Sequence, residues 1–253
     1  MRRYLKIKLQ SLFALSGGAL MCAAIVLTAQ VHAAEPTVNA LKLLQNHSYW
    51  GDNETIVSPQ GLRINNLGRM HFCIVAKSPD WSVTIFRDDD KTCYRQNLKS
   101  FVDTGMVADF IVRKQDRIVG RSALVKDKMV AHTMAKHYED AIERCDYLPA
   151  PKFLVPQAED VLFAYYKTPT NNGISLAYAR SQHGKDWMTG LERGGAMHVV
   201  MTTSSIETTT VPVRIFDAPR TYKLVKSPQE VIMSKENREA SGDVDEIFET
   251  KRR

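Results

Sequence analysis

The chain has 253 residues, with 34 Lys and Arg against 28 Asp and Glu and a formal net charge of +6. The first 33 residues hold four of the basic side chains and no acidic one, so residues 34–253 carry 30 basic against 28 acidic side chains. This near balance, together with the lack of any zinc-finger, RNP or basic-helix pattern, gives no support for nucleic-acid binding.

Residues 1–33 have the three parts of a secretory signal peptide: a basic start, an apolar stretch and an exit of small residues. The apolar stretch runs from Leu12 to Ala29, and the best cleavage position lies between Ala33 and Ala34. We therefore expect export from the cytoplasm of a Gram-negative bacterium to the periplasm or beyond. A retained membrane anchor is the alternative, because about 18 apolar residues is near the lower limit for a spanning helix. No comparable stretch follows the leader, so we expect no transmembrane segment after cleavage.

The mature chain is predicted to begin with a short helix over residues 36–48. Pro36 suits the first position of a helix, and Val38, Leu41 and Leu44 recur at a spacing of three. Short strands follow, joined by polar turns at 78–80 and 88–91, and this pattern predicts an antiparallel meander. The strands of that meander fall around residues 61–64, 72–76, 81–85 and 92–95.

A second helix is predicted over about 122–146, because its apolar residues recur at a spacing of three and four. They are Met134, Tyr138, Ala141, Ile142 and Cys145. Pro149, Pro151 and Pro156 then predict an extended linker.

Strands are predicted to return after the prolines. Alternating residues at 161–166 and 174–179 flank an Asn-Gly turn, which is typical of a tight hairpin. Residues 197–209 and 211–216 predict another strand pair. The capping box that starts at Ser227 predicts a helix over 228–240, and residues 241–253 form a charged, loose tail. The expected organisation is thus a leader (1–33), one β-rich domain (34–240) and this tail.

Three cysteines remain after the leader, so at most one internal disulfide can form. In a meander the strand at 81–87 lies between Cys73 and Cys93, which separates them by roughly 9–10 Å, beyond disulfide reach. Cys145 is the better partner for either of them.

No sequence motif supports an enzyme or a resident cofactor. His132 and His137 are five residues apart, which does not place them on one helix face for metal binding. The acidic run 88–90 lacks the rest of a calcium loop, and the glycine-rich segment 190–195 lacks the ending of a phosphate-binding loop. We therefore expect no metal and no cofactor.

The order of elements and one C-terminal phrase resemble the LolA/LolB-like superfamily of extracytoplasmic lipoprotein carriers. The leader, the early strand that contains Arg63, the strands around Trp81 and Tyr94, and the phrase VPVRIFDAPRTY at 211–222 carry this resemblance. It implies an α+β fold: a strongly curved antiparallel sheet, or half-open barrel, with helices on its concave side. It also implies that the concave face binds an acyl chain or another apolar group, and that Arg63 or Arg69 holds a helix over it.

The main functional expectation is a non-enzymatic carrier or sensor of a lipid or other apolar small molecule. Its expected ligand-facing residues are Arg63, Trp81, Val83, Ile85, Met134, Tyr138 and Tyr178. Two alternatives stay open on the sequence. One is an extracytoplasmic hydrolase with dispersed catalytic residues, and the other is an envelope-assembly protein that binds other envelope proteins and fills its sheet with its own side chains.

Overall fold

The computed structural model describes residues 35–68, 70–106, 117–119, 125–181, 184–185, 192–193 and 195–233. Ala33, Ala34, most of the glycine-rich segment and the tail from 241 lie outside these residues. The chain divides into two compact units, Met1–Pro36 and Thr37–Arg253, and the architecture below is that of the second unit.

The predicted meander is present as six consecutive strands. They are β1 (Thr37–His47), β2 (Gly51–Ser58), β3 (Gly61–Asn66), β4 (Phe72–Lys77), β5 (Val83–Arg87) and β6 (Thr92–Gln96). The later strands are β7 (Lys126–Val130), β8 (Thr133–Glu139), β9 (Glu143–Pro149), β10 (Gly173–Ser181), β11 (Gly184–Lys185), β12 (Glu192–Arg193), β13 (Met197–Pro212) and β14 (Lys223–Leu224). The helices are α1 (Leu98–Thr104), α2 (Pro156–Tyr166) and α3 (Gln229–Ile232), with a 3-10 turn at Val213–Phe216.

Twelve of these strands form one sheet in the order β14-β6-β5-β4-β3-β2-β1-β13-β10-β9-β8-β7. Every neighbouring pair is antiparallel except β14 with β6, which is parallel. Across the described residues, β14 and β7 are the two edges, so the sheet does not close into a barrel. The α+β class and the dominance of one mostly antiparallel sheet are therefore confirmed.

The two faces of the sheet are covered differently. The row Leu43, Thr55, Ile64, Ile74 and Ile85 runs straight across β1 to β5, and these side chains are fully buried. The buried residues of all three helices belong to the same apolar cluster as this row. We call this side of the sheet the helix-covered face.

The opposite face is covered by the segment that follows β13. Phe216 packs there with Ala40 and Ile56, and Tyr222 packs against Phe86. A Cβ atom on Gly61 would lie 2.5 Å from Cγ of Phe216, so this position needs glycine because of the close approach. The fold therefore has a core on each side of the first six strands.

The helix predicted over 36–48 is wrong, because these residues form β1. Leu41, Leu43, Gln45 and His47 are buried at a period of two. Ala40 is also buried, on the opposite face, so apolar residues face both sides of this central strand. Two-sided burial produced the spacing of three that suggested a helix.

The helix predicted over 122–146 is also wrong, since this region forms β7, β8 and β9. Ala131 and His132 both have positive φ angles and make the tight turn between β7 and β8. A spacing of four places Met134 and Tyr138 on the same side of a strand as well as of a helix, so these two residues could not distinguish the two structures.

The strand predicted over 161–166 is α2, whose helical start follows from Pro156 at its first turn. The turn after it is present, with positive φ angles at Asn171 and Asn172, but it joins α2 to β10. The predicted hairpin is therefore wrong, and β10 pairs with β9 and β13 instead.

The predicted strand pair over 197–216 is a single strand, β13, which ends at Pro212 and is followed by the 3-10 turn. Of the predicted 228–240 helix, the structure describes only α3, and residues 234–240 lie outside the described part. In the predicted linker, Pro149 ends β9 and Pro156 begins α2.

The strand order confirms the separation of Cys73 from Cys93. Phe86 pairs with both of them, so they sit two strands apart. Cys145, the better candidate partner, is not bonded to either of them: all three described thiols are free, and Cys145 Sγ donates to the carbonyl of Pro169.

We predict that a non-reduced digest of the mature protein contains no disulfide-linked peptides. Mass spectrometry of peptides from protein alkylated during denaturation measures this directly. A linked Cys73–Cys93 peptide would contradict the strand order of β4, β5 and β6.

Candidate functional site

Helix α2 is the main cover of the helix-covered face. Its buried residues lie on several sides of the helix, because it packs against the sheet and against α1. They are Ala158, Glu159, Val161, Leu162, Ala164, Tyr165 and Tyr166. The second half of α2, residues 161–166, is wholly apolar. A helical segment of this kind is held by burial, and its position decides whether the face beneath it is open or closed.

Polar contacts at the end of α2 fix it to β2. The Tyr165 hydroxyl donates to Oδ1 of Asn53 at 2.8 Å, and Nε1 of Trp50 donates to the carbonyl of Tyr165 at 3.0 Å. The rings of Trp50 and Tyr165 are stacked with centroids 5.1 Å apart. The Tyr166 hydroxyl shares a hydrogen bond of 2.8 Å with Oγ1 of Thr55.

Burial keeps three titratable groups uncharged where α2 meets the sheet. Burial raises the pKa of Tyr165 and Tyr166 well above the usual tyrosine range. Burial also lowers the pKa of His47 from its usual 6.5 to about 4. Nδ1 of His47 accepts the backbone N–H groups of Tyr49 and Trp50, each at 3.2 Å, which agrees with a neutral ring. The interior below α2 is therefore polar in places but carries no charge on these groups at neutral pH.

A small cavity lies between α2, β1 and β10. The space between its atoms is about 190 Å³, which includes space open to solvent. The part that the centre of a water-sized group can reach is much smaller, about 10 Å³. Its lining residues are Gln45, Leu162, Tyr166, Thr168, Thr170, Ile174 and Ser175. A space of this size holds about one water molecule.

Four of the predicted ligand-facing residues lie in the main buried cluster of the helix-covered face. They are Trp81, Val83, Ile85 and Tyr178. Trp81 has a positive φ angle and precedes β5, and it still packs into this cluster. These side chains can meet a ligand only if it displaces what covers them.

Arg63 lies on the opposite face and does not join them. Its Nη1 donates to the carbonyl of Ile215 at 3.0 Å, its Nε donates to Asn65, and its guanidinium sits 5.7 Å from the ring centre of Phe86. The reason is the register: Arg63 alternates with Leu62 and Ile64, which point into the helix-covered face. Arg63 therefore anchors the segment after β13 instead of a ligand-side helix.

Met134 and Tyr138 lie on one side of β8, but their exposure differs. Tyr138 is buried and pairs with Cys145, which pairs with Tyr178. Met134 pairs with Met129 across the β7–β8 hairpin, and these two residues are 56% and 61% exposed. The side of the sheet that carries Tyr138 and Tyr178 thus runs out to an exposed methionine pair at the β7 edge, which we call the methionine edge.

Sequence reasoning missed α2 as a helix and the cavity residues Gln45 and Ser175. Pro156 at the start of an apolar run was the available signal for the helix. No sequence signal identified Gln45, because a glutamine at this position becomes informative only when the strand pairing places it under α2.

One histidine–carboxylate pair and one buried thiol are the most reactive groups that the structure describes. His137 Nδ1 lies 2.5 Å from Oδ1 of Asp146, and Lys128 also contacts that carboxylate, but no nucleophile bonds to this histidine in the described ranges. Burial raises the pKa of the Cys145 thiol to about 12, which keeps it protonated and unreactive. The same part of the chain contains no group of three His, Cys, Asp or Glu placed to hold a metal ion.

Among the residues searched, no helix has the length and apolar character needed to cross a membrane. A scan against models of known protein families finds no match for this chain, and a search of curated proteins finds none either.

Proposed function

We propose that this protein is an exported, non-enzymatic carrier or sensor of a lipid or other apolar small molecule, which binds between α2 and the sheet. The proposal includes cleavage of the leader after Ala33 and work in the periplasm or outside the cell. It also includes the finer fold that the LolA/LolB-like resemblance implies, a curved half-open sheet with its helices on the concave side.

The observation that carries the proposal is the continuity between the covered face and the methionine edge. An apolar ligand that lands on Met129 and Met134 meets the same side of the sheet that carries Tyr138 and Tyr178. Exposed methionines suit this role because the flexible thioether adapts to ligands of different shape. Going further inward requires α2 to move, since the space beneath it holds about one water-sized group.

One observation favours a second function. The small volume of the cavity is what an envelope-assembly protein with a filled core would show, and such a protein would present its surfaces to other proteins and bind no apolar ligand. Native mass spectrometry of protein purified without detergent separates the two. The carrier proposal expects an adduct with the mass of an apolar small molecule, or binding of the uncharged fluorophore 1-aminoanthracene. If the protein shows no such adduct and also fails to bind the fluorophore, the carrier proposal is contradicted.

Loosening α2 should increase affinity. Tyr166→Phe removes the hydrogen bond to Thr55 that helps to close α2, so a larger fraction of molecules is open and the apparent affinity rises. One neutral hydrogen bond is worth about 0.5–1.5 kcal/mol, so 1-aminoanthracene should bind about 2–10-fold more tightly. Tyr222→Phe is the matched control, since its hydroxyl bonds to Asp88 and Lys91 on the opposite face.

A charge at the methionine edge should have the opposite effect. Met134→Asp should weaken binding of 1-aminoanthracene several-fold by placing a solvated carboxylate on the entry surface. Leu224→Asp is the control, because Leu224 is also exposed, at 67% against 56% for Met134, but lies on the other edge strand, β14. Equal binding by both variants would place the ligand elsewhere.

A further inference from the structure

One residue that lines the cavity under α2 carries a buried polar atom without a hydrogen-bond partner. Nε2 of Gln45 donates to the carbonyl of Ser175 at 3.0 Å and to Oγ1 of Thr203 at 3.1 Å. Because a carbonyl oxygen only accepts, this bond fixes the orientation of the amide group. Oε1 of Gln45 then has no hydrogen-bond partner, although Gln45 is only 2% exposed.

Ser175 also lines this space, and it is 5% exposed. Its hydroxyl interacts with the Cys145 thiol, which is only a weak hydrogen-bonding group. Buried polar atoms in folded proteins are nearly always satisfied, so the unsatisfied Oε1 of Gln45 indicates that a hydrogen-bond donor belongs in this cavity.

The lining also limits the charge of that group. No Lys, Arg, Asp or Glu lines the cavity. The nearest carboxylate in the contacts described is Glu159, whose Oε1 accepts from the Thr170 hydroxyl at 2.5 Å. A carboxylate or phosphate placed here would lose its hydration without gaining a counter-charge, and it would face a second acid.

We propose that this cavity seats the head group of the apolar ligand, and that this head is uncharged and donates a hydrogen bond, as a hydroxyl or a primary amide does. A donor is needed because Oε1 of Gln45 can only accept, while the Ser175 hydroxyl can take either role. The cavity has room for one water-sized group, which a hydroxyl matches, whereas the larger amide head needs α2 to move. This inference rests on the proposed carrier function and narrows it to one class of ligand.

Four ligands that share an unbranched twelve-carbon chain and differ at the head test it, by displacement of 1-aminoanthracene at pH 8. Dodecan-1-ol and dodecanamide donate, methyl dodecanoate only accepts, and dodecanoate is ionised. We expect the two donors to bind about 2–10-fold more tightly than the ester, the worth of one hydrogen bond, and dodecanoate to bind at least about tenfold more weakly than the alcohol.

Ser175→Ala provides the matched variant. It removes a hydroxyl whose contact with the Cys145 thiol is weak, so the variant should fold as well as the wild type and should lose part of the preference for alcohol over ester. Ser204→Ala is the control, because Ser204 is exposed on β13 and should leave the preference unchanged.

The failures are distinguishable. If all four ligands displace the fluorophore with equal affinity, or if Ser175→Ala keeps the full preference, the carrier function stands and the head-group assignment is overturned. If the fluorophore and all four ligands fail to bind, both proposals are overturned.

Discussion

Replacing Tyr165 with alanine is expected to lower the free energy of unfolding by about 3–5 kcal/mol, the range for removal of a buried aromatic side chain. The residue is 1% exposed, and its ring contacts Trp50, Phe72 and Tyr166. Removing it leaves a cavity where α2 meets β2. Urea unfolding followed by tryptophan fluorescence measures the change.

Tyr165→Phe separates the ring from the hydroxyl. It should cost only about 1 kcal/mol, because Oδ1 of Asn53 still accepts from Nδ2 of Asn66 at 3.2 Å. Tyr49→Ala is a control on an exposed ring and should cost about 1 kcal/mol or less. A loss below about 1 kcal/mol for Tyr165→Ala would mean that α2 does not pack on the sheet as described.

Stability is expected to fall as the pH drops from 6.5 to about 4, in part because of His47. The unfolded chain binds a proton to this histidine below its usual pKa of 6.5, while burial keeps the folded ring neutral down to about 4. Between these values the unfolded state binds more protons, so stability rises with pH. A difference of about 2.5 pKa units corresponds to about 3 kcal/mol, lost in full below about pH 4.

His47→Asn isolates this contribution. The asparagine Oδ1 can take the place of Nδ1 and accept the N–H groups of Tyr49 and Trp50, but it does not titrate in this range. The difference between wild type and variant, measured by urea unfolding from pH 4 to 8, should shrink by about 3 kcal/mol as the pH falls. His198→Asn is the control at an exposed histidine on β13, and a parallel pair of pH curves for wild type and His47→Asn would contradict the burial of His47.

The sequence predicted the strands from 61 to 96 because they are short, have regular alternation and are separated by polar turns. Phe72, Ile74 and Ala76 lie on one face of β4. The polar segment 88–91 forms the turn between β5 and β6, as its composition predicts. Local pattern and tertiary environment agree in this region, so local reasoning was enough.

Prediction failed where one pattern fits two structures. Residues 37–47 are buried on both faces of a central strand, which blurs the period of two. The six apolar residues from Val161 to Tyr166 fit a buried helix or a buried strand equally well, and only the chain length and Pro156 favour the helix. A strand at 161–166 leaves no helix to cover the sheet, so the sequence prediction contains neither this cover nor the cavity at Gln45.

The candidate site residues were placed on the correct face only where the strand pattern is unambiguous. Val83 and Ile85 lie on the helix-covered face because the meander is regular there, whereas Arg63 was assigned from a family resemblance that did not fix its register. A shift of one residue in a strand moves a side chain to the other face. The helix-holding role that the resemblance implied for Arg63 therefore depended on a register that the sequence alone does not give.

Hydrogen exchange of the mature protein, with and without dodecan-1-ol, tests most directly whether α2 is the movable cover of a ligand site. Saturating dodecan-1-ol is expected to lower the protection of the α2 amides from Val161 to Tyr166 against exchange. The amides of β3, β4 and β5 are expected to keep their protection. Unchanged protection of α2 at the same concentration would contradict the central claim, whether the alcohol binds elsewhere or does not bind.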